Sequence, residues 1–211
     1  MSQIVFDRPA DKIRAKFSAE RERILARNEL TQTAKNARIA LAMKTANAEL
    51  AVAKSAADEA RKAARAKYER TAFGLDDLAS SPGDRAAVAM AHRAALNDVA
   101  AITTTQQANI LLARARTTGD ETLMRALALH AHEQLVASNY TSQPWQDILG
   151  DAASSRPAAI EAINALQAEA WHRPQAAEMF EFVIVTPNEL GRATTDAELD
   201  RIIAQDTSAR A

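Results

Sequence analysis

Apolar residues near the start of the chain recur at helical spacing. Ile13, Phe17 and Ile24 form one stripe, Pro9 suits a first helical turn, and neither Gly nor Pro occurs between Ala10 and Phe73. Asn28 and the pair Leu30-Thr31 interrupt the stripe, with Thr31 placed to cap a new periodic run. The pattern predicts helices over about 9–27 and 31–72, with one continuous helix as the alternative. The second run repeats every 11 residues. Leu30, Leu41, Val52 and Ala63 are in register, as are Ile39 and Leu50, and Ala26, Ala37 and Ala48. An 11-residue period predicts straight or slightly right-handed pairing, which makes Leu41 and Val52 candidate partner-facing positions. Past Val52 the sequence is alanine with interleaved charges, in which Lys54 and Asp58, Asp58 and Lys62, and Arg65 and Glu69 are opposites four apart. That profile suits a stalk or arm.

Residues 73–84 carry two glycines, a proline and paired serines, and read as a boundary. A helix capped by Asp84 is expected to run to about Thr117 and stop at Gly119. Another follows Asp120 to about Ser138, with Leu123, Leu127, His130 and Leu135 near one face. An irregular connection is then expected around a short turn bearing Trp145, Ile148 and Leu149. A helix from Pro157 through Ile160, Ile163, Leu166 and Trp171 closes at Pro174, and a short capped helix spans about 195–205.

One stretch breaks the helical pattern: in "FEFVIVTPNEL", 180–190, Phe180, Phe182, Val183, Ile184 and Val185 crowd together and stop at Pro187. It reads as strand-like, either pairing with residues 3–6 ("QIVF") or lending an edge to a neighbouring subunit. The expected fold is all-α. A long basic helical arm, a helix pair or single coiled-coil-like helix, occupies 1–75, and an acidic helical body with one short strand-like segment occupies 84–211.

Composition sharpens this picture. Fifty of 211 residues are Ala and 4% are aromatic, so helix propensity is high and each buried side chain contributes little. The absence of cysteine excludes disulfides and thiolate metal sites, and no apolar run is long enough to cross a membrane. Net charge is −1, but residues 1–72 hold 16 Lys or Arg against 9 acids while residues 73–211 hold 10 against 18. The two parts therefore attract, within or between chains. Arg61, Lys62, Arg65 and Lys67 are the candidate phosphate contacts, and binding of nucleic acid by these helices is the alternative function. Trp145, Trp171, Phe180 and Phe182 concentrate the scarce aromatic surface, either as a core or, with Ile184, as a docking patch.

Candidate chemistry is sparse. His130 and His132 are two apart on a helix and point about 200° from each other, which does not suit one metal ion. Asp76-Asp77 reads as loop solvation or capping, and no phosphate loop, dinucleotide fingerprint, nucleophile elbow or zinc-protease motif occurs. No catalytic residue, cofactor or metal site is expected.

Four stretches taken in order carry a family resemblance: Leu30-Thr31 leading into "AKNARIA" (34–40), Gly119-Asp120 followed by "LMRALALHA" (123–131), Trp145 with "DIL" (147–149), and "FEFVIVTPNEL" (180–190). Together they resemble a family of proteins encoded among the virion structural genes of tailed phages that infect actinobacteria. The stretch "SNYTSQPW" departs from the tighter glycine-tryptophan turn of that pattern. The resemblance implies a structural or assembly role, scaffolding-like or head-tail or tail-associated, in the host cytoplasm during assembly or in the virion. The implied partners are further copies of the chain and capsid, portal or tail proteins.

Overall fold

The computed structural model describes residues 8–78, 81–171, 180–192 and 195–208. These residues are all-helical, with no strand among them. The α-helices are α1 (Pro9–Leu25), α2 (Gln32–Phe73), α3 (Pro82–Ala100), α4 (Thr105–Thr118), α5 (Glu121–Ala137), α6 (Gln143–Ala153), α7 (Pro157–Trp171) and α8 (Asp196–Ser208), and a 3-10 turn spans Asn188–Leu190.

Local chemistry accounts for the helix ends. Pro9 opens α1. The chain does break before α2: Thr31 Oγ1 accepts from the Ala34 amide at 3.2 Å, and Lys35 Nζ donates to the Leu25 carbonyl at 2.8 Å at the end of α1. The expected helix from Asp84 to Thr117 is instead two. Ser81, not Asp84, caps α3, and Thr104 with Gln107 forms a reciprocal capping box that starts α4. Gly119, at φ 67°, ends α4 as expected. The expected short turn at Trp145 is a full helix, α6, because Trp145, Ile148, Leu149 and Ala152 all lie on its buried face.

Two compact units divide the chain, one from Met1–Ala60 with Arg173–Ala211 and one from Arg61–His172, so helix α2 contributes residues to each. This division differs from the boundary at 75–84 read from composition. In the first unit, Ile184, Leu190 and Leu199 complete the core begun by Phe17 and Ile24 of α1 and Ile39, Met43 and Leu50 of α2. Sequence-distant residues thus supply an apolar layer that the α1–α2 pair lacks on its own. Lys44 Nζ bonds Asp200 Oδ1 at 2.6 Å and ties α2 to α8.

In the second unit, α5 is central and packs against α3, α4 and α6. Buried residues run almost continuously from Leu123 to His132, so over this stretch the helix has no exposed polar face. It ends in a Schellman arrangement in which the Tyr140 amide donates to the Leu135 carbonyl at 2.6 Å and the Asn139 amide to the Val136 carbonyl at 3.1 Å. Asn139 and Tyr140 both take positive φ, 49° and 56°.

Candidate interaction surface

The stretch 180–190, expected to be strand-like, is a turn, an irregular extended run and the 3-10 turn. Its proposed partner residues 3–6 lie outside the described residues. What holds it is a set of side-chain bonds from α1. Arg14 Nη1 donates to the Phe180 carbonyl at 3.0 Å and the Glu181 carbonyl at 2.8 Å. Arg21 makes a forked pair with Glu189, Nε to Oε2 at 3.1 Å and Nη2 to Oε1 at 2.6 Å. That hydrogen bond is the main reason the Arg21 pKa is raised and the Glu189 pKa is held below the ordinary carboxylate value.

Pinned this way, the segment sorts its apolar side chains. Ile184 and Leu190 enter the core, and Phe182 is half-buried against it. Phe180, Val183 and Val185 stay outside, with Phe180 62% and Val185 84% exposed. A cleft of about 450 Å³ lies on the α1 side of the segment, between Arg14, Ser18 and Val185, and another of about 500 Å³ on the α2 side, between Asn47, Lys54 and Val185. Exposed apolar side chains on a held backbone can bury surface on a partner without first ordering a loop.

The 11-residue pattern on α2 resolves into two rows with opposite fates. Ile39 and Leu50 face the core, whereas Leu41 and Val52 are 55% and 71% exposed. Trp145 is not accessible. It lies in the core of the second unit with its ring edge-on to His130, centroids 5.6 Å apart, so it serves packing and not docking. Trp171 ends α7, and its side chain lies outside the described residues. Arg61, Lys62, Arg65 and Lys67 are all exposed on α2; Arg65 Nε bonds Glu69 Oε1 at 2.9 Å, and Lys67 lines an open cleft with Arg70, Asp76 and Arg156.

Sequence reasoning missed Arg125. On α5, within "LMRALALHA", it is only 2% exposed. It reaches the 74–78 loop, where Nη1 and Nη2 grip the Asp77 carboxylate at 2.6 and 2.7 Å and Nη1 also donates to the Gly74 carbonyl. Asp77 is therefore an ion-pair partner as well as a solvated loop acid, and Arg125 is the main cause of its lowered pKa. Nearby Arg156 donates from Nη1 to the Ala72 carbonyl at 2.9 Å; burial, then the charge of Arg125, lowers its pKa. The available signal was a lone cation in an apolar helical run, which requires a buried acceptor.

His130 and His132 are both buried on different sides of α5. His132 lies 5.3 Å from the Phe73 ring and 6.0 Å from Tyr140, and burial lowers its pKa. Among the described residues, no helix is long and apolar enough to cross a membrane. No family model, curated protein or solved structure matches the chain.

Proposed function

We propose that the protein is a non-enzymatic structural or assembly protein of a tailed-phage particle, acting through helical self-association and docking to capsid, portal or tail proteins. One observation carries the reading: the segment 180–187 is fastened by Arg14 and Ile184 while Phe180, Val183 and Val185 face solvent. Three exposed apolar residues close together on an anchored backbone support a role in association. The family resemblance of the sequence supplies the virion setting, and the outward Leu41 and Val52 on α2 supply a coiled-coil-like face.

The test is a double substitution, Phe180→Asp with Val185→Asp, in the full chain. Both side chains are exposed, so helix content by circular dichroism stays unchanged while affinity for purified capsid, portal or tail subunits falls more than about tenfold. Unaltered affinity would reject this surface. A salt-dependent shift of a nucleic-acid probe, lost when Arg61, Lys62, Arg65 and Lys67 are neutralised, would favour the nucleic-acid reading instead.

A further inference from the structure

Away from the 180–187 segment, the first unit has an apolar groove of about 410 Å³ between α1 and α2. Its floor is Phe17 and Ile24 of α1 with Ala42 and Ala46 of α2, and the exposed Leu41 stands at its edge. The α2 residues that line it are Arg38, Leu41, Ala42, Thr45, Ala46 and Glu49. Their spacing reads the same from either end, about a midpoint at the level of Met43 and Lys44. Arg38 stands at one end of this row and Glu49 at the other, where Lys16 of α1 already pairs with Glu49.

From this geometry we infer that the groove receives α2 of a second copy of this chain, antiparallel and about a two-fold axis at that midpoint. The inference rests on the self-association just proposed and names the face that performs it. Under the two-fold, Arg38 of each copy meets Glu49 of the other, Leu41 lies over the small Ala46, and Ala42 faces Thr45. Small residues in the middle let the helix axes approach closely, and Leu41 supplies the knob.

Charge selects this occupant. Arg38 is half-buried at the groove's edge and has no ion-pair partner among the described residues. Lys16 Nζ bonds Glu49 at 2.7 Å and Lys35 bonds the end of α1, so the two helices run antiparallel, which sets Arg23 and Arg27 toward the Arg38 end. Arg23 is paired with Glu20 and Arg27 with Glu29, so Arg38 is the cation at that end left to take an acid from the incoming helix. A second copy brings Glu49 there by symmetry, and the reciprocal contact brings Arg38 to the end that holds Glu49.

The experiment is sedimentation velocity on the full chain over a range of concentrations, with Arg38→Glu, Glu49→Arg and both together. The unaltered chain is expected to dimerise. Each single reversal acts twice through the two-fold, so each should weaken the dimer at least about tenfold, while the double variant recovers to within about threefold of the unaltered chain. Mixing the two single variants should give a heterodimer, because each chain then presents to the other the charge that its own copies lack. Leu41→Asp, at an exposed position, should weaken the dimer without loss of helix content by circular dichroism.

A monomer at every concentration, a dimer indifferent to the single reversals, or single variants that fail to pair with each other would each overturn the assignment. Should a monomer instead bind an acidic helical peptide in a way that Arg38→Glu abolishes and the double variant does not restore, the groove serves a different protein. The Phe180→Asp, Val185→Asp variant is expected to keep the parent dimer constant. Loss of virion docking and loss of this dimer are therefore separately readable.

Discussion

Arginines pin irregular backbone in both units, to opposite ends. In the second unit, buried Arg125 draws the 74–78 loop onto α5 through Asp77 and the Gly74 carbonyl, and Phe73 turns inward beside it. In the first unit, Arg14 and Arg21 are partly exposed and hold 180–190 from α1, yet Phe180, Val183 and Val185 turn outward. The same donor chemistry closes a core in one place and presents an apolar surface in the other. Depth decides which. A guanidinium in the low-dielectric interior must have its partners, so that loop is not free to move without a large penalty. A guanidinium at the surface contributes less and leaves the held segment its outward side chains.

Breaking the second unit should have the largest effects. Leu127→Ala removes a fully buried side chain from α5 and is expected to destabilise by about 3 kcal/mol in chemical denaturation. Asp77→Ala leaves Arg125 buried with only the Gly74 carbonyl. A loss of about 2 kcal/mol is expected, less than for a fully buried pair because the Asp77 side chain is itself 68% exposed. Arg125→Met with Asp77→Ala together should recover part of that loss, since no buried charge is then left unpaired.

Acid sharpens the contrast. Burial depresses the His132 pKa below its ordinary 6.5, so the unfolded chain binds a proton near that pH while the folded chain stays neutral. His132 therefore contributes full stability above about pH 6.5, and the contribution is lost as pH falls through the folded-state value. Its neighbours Arg65 and Glu69 act in opposite senses, lowering and raising the pKa in turn. Thermal melts from about pH 7.5 down to 5 should show a falling midpoint, and His132→Phe should flatten that slope while keeping the ring contacts. Asp77, also depressed, continues the same trend at lower pH.

The first unit should respond least. Arg21→Ala breaks the forked pair with Glu189 and is expected to cost about 0.5–1 kcal/mol in the same denaturation measurement, because both partners keep contact with solvent. A loss as large as that of Asp77→Ala would mean that the two pins are energetically alike and would remove the contrast.

Much of the helical layout is readable from residue order. Thr31, Gly119, Asp120 and Pro157 mark helix ends that the structure keeps. The break at 101–104 was also legible, because Thr104-x-x-Gln107 is a capping box, but the alanines around it sustain a helical reading across the gap. Trp145, Ile148 and Leu149 carry helical spacing, masked by the polar approach "SNYTSQP". The fate of 180–190 could not be read locally. Its β-branched and aromatic content favours a strand, and tertiary bonds from Arg14 and Arg21 override that preference. The reach of Arg125 to a loop some fifty positions earlier in the chain is equally invisible to periodicity.

Tyr140 is a bulky residue in the left-handed region, a conformation that opposes its intrinsic preference by about 1–2 kcal/mol. Its ring is buried beside His132, and its carbonyl accepts from Gln146 Nε2 at 2.9 Å. The corner into α6 is thus a point of local frustration, acceptable only once both neighbouring helices are in place. An isolated peptide spanning this corner should reject the bend that the folded chain adopts.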